Sequence, residues 1–215
     1  MKSHCSRIAA LACAASMLVA GTASAAMWHY GARAGLSLTN FRGDAAELLS
    51  EWRPGPAAGG FVEADATPSM SFVFEVDYVQ KGATYSSEVR DNQGTFLGTQ
   101  KNDLVLSYVQ VPMLARVHFM NGGAIGPFVE AGPTLGFTLG GTQEMSDVPD
   151  IDIGDHLNAL DVGIGGGVGV RFRTGAGRLD VETRYTTGLG DVWNDTVQKL
   201  ETINHGFEFT LSLSR

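Results

Sequence analysis

Beyond residue 26 the chain contains no cysteine, since Cys5 and Cys13 are its only two. A disulfide framework, a thiol nucleophile and a thiolate metal site are therefore excluded from the rest of the protein. Basic charge is also scarce. Setting aside Lys2 and Arg7 leaves thirteen basic residues against twenty-three acids, a net charge of −10. A nucleic-acid partner is excluded on that balance. No segment after the N-terminus approaches the ~20 apolar residues of a transmembrane helix, and the 3.6-residue periodicity of amphipathic helices is nearly missing.

What is present at the N-terminus is an export signal. Met1–Arg7 is basic with no acid, Ile8–Ala20 is an uncharged apolar run, and Ala23-Ser24-Ala25 offers a small-residue cleavage site. The run is too short to anchor the chain in a bilayer. Ala10-Leu11-Ala12-Cys13 is only loosely like a lipoprotein box, and cleavage there would cut the apolar core in half. Residues 1–26 are thus expected to be a signal peptide and 27–215 a single domain.

Alternation of apolar and polar residues fills that domain. Ser71–Lys81 opposes Phe72, Phe74, Val76 and Tyr78 to Glu75, Asp77 and Lys81. Thr202–Arg215 opposes Phe207, Phe209, Leu211 and Leu213 to Glu208, Thr210, Ser212 and Ser214. Asn158–Phe172 and Gly177–Leu189 alternate as cleanly; Trp28–Leu38, Gly60–Thr67, Leu104–Phe119 and Pro127–Leu139 do so less cleanly. Eight strands follow. Short turns fall near Thr67–Met70, Met120–Ile125 and Arg173–Ala176, and long polar connections near Thr39–Gly59, Gly82–Asp103, Gly140–Leu157 and Gly190–Glu201. Short turns on one rim and long loops on the other are the pattern of outer-membrane barrels. Pro112 and Pro133 interrupt predicted strands and predict bulges there.

A soluble ligand-binding barrel alternates too, with opposite polarity. Three features favour the membrane form. The apolar face is almost free of charge, as lipid requires. Its aromatics gather toward strand ends, with Tyr30, Phe72, Phe119 and Phe172 at one level and Tyr78, Phe137 and Tyr185 at the other. The polar face carries charges of both signs near mid-strand: Arg33, Glu63, Asp65, Glu75, Asp77, Arg116, Glu130, Asp161, Arg171, Asp180, Glu182 and Arg184. Eight strands leave an interior about wide enough for side chains to fill, and these charges are expected to fill it as paired ions. A hydrophobic content of 44% also suits a barrel, in which half the strand residues stay polar. The expected fold is all-β, an eight-stranded antiparallel up-and-down transmembrane β-barrel in the bacterial outer membrane.

Several segments resemble the PorT-like outer-membrane β-barrel family. Gly31-Ala32-Arg33-Ala34-Gly35-Leu36-Ser37-Leu38-Thr39-Asn40-Phe41 resembles its first strand, and Tyr78-Val79-Gln80-Lys81-Gly82-Ala83 the end of its third. Tyr108-Val109-Gln110-Val111-Pro112-Met113-Leu114, Val129-Glu130-Ala131-Gly132-Pro133-Thr134-Leu135-Gly136 and Arg184-Tyr185-Thr186-Thr187-Gly188-Leu189 are similar to its fourth, fifth and seventh. The resemblance implies an eight-stranded barrel in the style of the OmpA transmembrane domain, with no enzymatic activity.

Chemistry is sparse. The acidic stretch Asp147–His156 misses the spacing of a calcium loop and reads as a solvated surface loop. None of His29, His118, His156 and His205 has a serine two residues on, as lipid A deacylases do. His156 and His205 with Asp155 and Asp191 are the one set that can meet on the long-loop rim as an aspartate–histidine protease site does. Gly163–Gly169 lies on a strand with no helix after it, so it reads as room in a crowded lumen rather than a dinucleotide loop. No catalytic residue, cofactor or metal is expected. The expected function is a monomeric structural or surface-binding barrel embedded in outer-membrane lipid, its loop partner unspecified. A narrow channel for small solutes is the alternative, with a loop-rim hydrolase behind it.

Overall fold

The computed structural model describes residues 27–43, 50–91, 93–120, 123–145, 148–175, 177–193 and 202–215. Residues 1–26, expected to be a signal peptide, lie outside them. Nine strands are described: β1 (Met27–Arg42), β2 (Ser50–Thr67), β3 (Met70–Arg90), β4 (Phe96–His118), β5 (Ile125–Met145), β6 (Val148–Asp152), β7 (Leu160–Thr174), β8 (Gly177–Gly188) and β9 (Ile203–Ser214). Eight of them close into an antiparallel barrel in the order β1-β2-β3-β4-β5-β7-β8-β9, with β9 pairing back to β1. The short β6 pairs only with the outer end of β5. Among the described residues no helix is long and apolar enough to cross a membrane.

The polarity is that of a membrane barrel. Along β9, Phe207, Phe209, Leu211 and Leu213 are exposed while Glu208, Thr210, Ser212 and Ser214 are buried. Val162 and Leu211 are 40% and 56% exposed, whereas Arg184 and Glu63 are 0% exposed. Charged side chains inside and aliphatic ones outside are tolerable only where the outside meets hydrocarbon and the inside pairs its charges. Tyr30, Phe119, Tyr78, Phe137 and Tyr185 stand on the outer wall, with Phe72 and Phe172 half-buried there. Tyr30 and Arg215 exchange backbone hydrogen bonds of 3.3 and 3.1 Å, so both ends of the barrel sheet meet on the short-turn rim.

The other rim departs from the expected long loops. β3 and β4 run 21 and 23 residues, against the ~9–11 that a tilted strand needs to cross the hydrocarbon. The stretch Gly82–Asp103 is therefore mostly a hairpin standing beyond the lipid, closed by a turn at 91–95. There Asp91 Oδ1 accepts the backbone N–H groups of Gln93 and Thr95, each at 2.8 Å. Likewise β2 begins at Ser50 inside the expected loop Thr39–Gly59. β5 extends to Met145 inside Gly140–Leu157, where β6 and a 3-10 turn at Gly154–His156 follow.

The expected bulges at Pro112 and Pro133 are absent. Pro112 pairs with Thr134 and Pro133 with Ile164 in unbroken register. A missing N–H costs one ladder bond but does not force an extra residue when the flanking pairs hold the frame. Register shifts fall instead at Trp52/Ala57 on β2, which brackets Pro54 and Pro56, at Ser107/Tyr108 on β4, and near strand ends at Asp65/Thr67, Val89/Arg90 and Gln143/Met145. Inward glycines of β7 make space: a Cβ at Gly169 would overlap the Phe128 ring.

Two connections fold back over the outer mouth. Leu157 and Val192 join Phe41, Ala83, Leu104, Leu106 and Tyr108 in a buried apolar cluster, with Ile153 and Trp193 packed on it. Leu157 bridges to Trp193, and Asn158 Nδ2 donates to the carbonyls of Asp191 and Trp193 at 2.7 and 3.0 Å. The barrel thus has an apolar cap that the polar composition of these loops did not announce.

Candidate functional site

The cap sits above a lumen filled by ions. Four arginines on four strands face inward because each falls on the polar phase of its strand: Arg33 on β1, Arg116 on β4, Arg171 on β7 and Arg184 on β8. Arg171 makes two forked contacts, to Asp180 (Nε–Oδ1 2.8 Å, Nη2–Oδ2 2.7 Å) and to Glu63 (Nη1–Oε1 3.1 Å, Nη2–Oε2 2.6 Å). Arg184 grips both oxygens of Glu75, at 2.6 and 2.9 Å, and donates Nε to Glu130 at 2.8 Å. Its Nη2 lies 2.8 Å from Glu182. Arg116 binds Glu130 through Nε and Nη2, at 2.8 and 2.6 Å, and reaches Asp180 at 3.0 Å and Glu182 at 3.1 Å. Arg33 bonds Glu75 and Thr210 and lies 3.5 Å from Asp77, 3.6 Å from Glu182 and 3.9 Å from Glu208.

The strand order gives these contacts their meaning. β8 and β3 stand four places apart on a ring of eight, so Arg184–Glu75 spans opposite walls. The same holds for Arg171 on β7 with Glu63 on β2, and for Gln110 on β4 with Glu208 on β9, where Gln110 Nε2 donates to Oε1 at 3.2 Å. Ions paired across the full diameter occupy the cross-section of the lumen. Phe128 underlies the group, with the Arg116 guanidinium 4.2 Å from its ring centroid, a cation–π contact in a site shielded from water. Fork-shaped arginine–carboxylate pairs are the geometry in which buried ions best offset their desolvation.

Ten of the twelve residues singled out on the polar face meet in this network: Arg33, Glu63, Glu75, Asp77, Arg116, Glu130, Arg171, Asp180, Glu182 and Arg184. Asp65 stands apart at the short-turn mouth, 3.1 Å from His29 and 3.6 Å from Arg178. Asp161 is half-buried near the outer end, with no ion pair among the described residues. The network also takes in residues that the sequence reading did not place there. Glu208 lay on the polar face of β9 and was recognisable by its phase. His118, which shares Glu63 with Ser71 (3.1 Å from the carboxylate, 3.0 Å from the hydroxyl), and Phe128 carried no such signal.

Among the described residues, other candidate chemistry is not assembled. Glu63, Asp65 and His118 bring one possible metal-ligand atom each within 4.8 Å of one another, but guanidinium groups already neutralise both carboxylates. His205 packs edge-on against Trp52 on the outer wall, and Asp191 accepts the backbone N–H groups of Trp193 and Thr202. His205 and Asp191 thus hold other contacts, His156 is exposed, and the Asp155 side chain lies outside the described residues. Asp147 lies outside the described residues, while Asp150 and Asp152 are exposed and Asp152 caps the N–H of Gly154 at 2.9 Å.

The family model described as outer membrane protein beta-barrel domain matches residues 16–194. Among solved structures, Neisserial surface protein A (NspA) is 14% identical, with a TM-score of 0.51 over 89% of this chain and 98% of that one. The attachment invasion locus protein Ail of Yersinia pestis is 8% identical, with a TM-score of 0.42 over 87% and 98%. OprG from Pseudomonas aeruginosa is 8% identical, with a TM-score of 0.42 over 88% and 97%. At these identities the likeness is one of fold alone. No curated protein matches the sequence.

Proposed function

Because this chain belongs to the outer membrane protein beta-barrel domain family, we propose that it serves the bacterial outer membrane as a monomeric barrel with a closed lumen, in a structural or surface-binding role rather than as a conduit. The observation that carries this reading is the set of ion pairs joining opposite walls at mid-lumen. The apolar cap of Leu157, Val192 and Trp193 over the outer mouth supports it. A solute passing through would have to break both.

With the lumen closed, the outer rim is one part of the barrel that remains free to act. The β3–β4 hairpin projects beyond the lipid, and the rim carries the exposed acids Asp150 and Asp152, with Glu51 paired to Lys101 at 3.5 Å. A partner of basic character suits that surface. The segments around Tyr78–Ala83, Tyr108–Leu114 and Val129–Gly136 support the narrower PorT-like affiliation. Liposome swelling with small sugars tests the closed lumen. The expected result is no uptake above that of protein-free liposomes, and size-dependent uptake would favour a narrow channel instead.

A further inference from the structure

The short-turn rim has a charge of its own. It carries Arg173, Arg178 and Arg215, with the Asp65 carboxylate beside them. Asp65 is already engaged by Arg178, which also donates Nη2 to His29 Nε2 at 2.8 Å. Arg173 donates Nη1 to the Gly123 carbonyl at 2.9 Å and has no ion-pair partner among the described residues, and neither has Arg215. Arg173 and Arg178 stand directly opposite each other in the β7–β8 ladder, an arrangement of like charges that weakens a sheet.

Those side chains surround a cleft of about 560 Å³, floored by the hairpin backbone at Thr174, Gly175 and Gly177. Tyr30 and Phe119 are exposed on the outer wall at the same rim, which puts the cleft at the depth of lipid headgroups. Guanidinium forks match the paired oxygens of a phosphate. We infer that this mouth is an oxyanion site that takes a phosphate group, supplied by an inner-leaflet lipid headgroup or by a free phosphate. The site lies outside the lumen network and holds whether or not the lumen conducts.

The test uses the full chain refolded into nanodiscs of phosphatidylcholine, with or without phosphatidylglycerol, and with inorganic phosphate titrated into the lipid-neutral sample. The readout is the amide chemical shift of Gly177. A shift on adding phosphate identifies a soluble source, and a shift only in the phosphatidylglycerol discs identifies the headgroup; either result supports the site. Arg173→Gln should weaken the interaction about tenfold, as loss of a charge-assisted pair does, while Lys101→Gln on the opposite rim should leave it unchanged. Arg173 has no carboxylate to strand, so this variant should refold as well as the parent. No shift in either arm, or equal weakening by Lys101→Gln, overturns the proposal.

Discussion

Replacing Arg184 by Met removes the side chain that joins β8 to three carboxylates at once. Glu75 loses both of its contacts at 2.6 and 2.9 Å, Glu130 its contact to Nε at 2.8 Å, and Glu182 its neighbour at 2.8 Å. Seven buried carboxylates share four buried arginines, so guanidinium is the limiting partner. Arg33 still touches Glu75, and Arg116 still touches Glu130 and Glu182, so none of the three is wholly abandoned. Breaking a buried pair by removing one member costs about 3–5 kcal/mol, and the shared contacts place Arg184→Met at the lower end, about 3 kcal/mol. Glu182→Gln, by contrast, removes one of several acids around Arg33, Arg116 and Arg184 and should cost less than about 2 kcal/mol. Urea titration of the refolded barrel in lipid vesicles, followed by tryptophan fluorescence, measures both. Equal stability of Arg184→Met and the parent, or a greater loss from Glu182→Gln, would refute the view that arginine is limiting.

Further outcomes follow from the walls, the cap and the hairpin. Val162→Arg puts a charge on the lipid face and should cost about 2–4 kcal/mol in the same titration, and tolerance there would mean that the faces are reversed. Gly169→Val drives a side chain into the Phe128 ring and should cost about 1–3 kcal/mol by overpacking; a neutral result would mean that the ring is free to move. Leu157→Asp should loosen the cap, raising amide exchange at Asn158 and Val192 while exchange in β8 stays slow. At the hairpin tip, backbone N–H donors from Thr95 and Gln93 hold the Asp91 carboxyl below its usual range. Their support of the turn is therefore present at neutral pH and lost as the pH falls through that lowered value. Amide exchange at Gln93 and Thr95 should quicken only there, and quickening at the ordinary aspartate range would contradict the assignment.

The strands inside the lipid were legible because hydrocarbon on one side and paired charge on the other force a two-residue period, as in Phe207 to Ser214. Once β3 and β4 leave the lipid, the outer face no longer has to be apolar. Thr84, Tyr85 and Ser86 then alternate in nothing that a pattern can detect, and Gly82–Asp103 looked like a loop. The cap was hidden for the opposite reason: Leu157, Val192 and Trp193 are single apolar residues in polar segments, brought together only by the fold. Most of the lumen set could be read from phase and charge. Which acid meets which arginine depends on the stagger of the strands, and that stagger leaves Asp65 and Asp161 out of the network and brings Glu208 in.

The closed lumen is tested most directly by single-channel recording in planar bilayers, with the parent protein beside the double variant Glu75→Ala/Arg184→Ala carrying a deletion of neither rim. The parent is expected to be silent, because pairs joining β3 to β8 and β2 to β7 cross the full diameter. The double variant should stay silent as well, since the Glu63–Arg171 pair and the apolar cap remain in place. Steady, voltage-independent conductance of the parent would contradict the closed lumen.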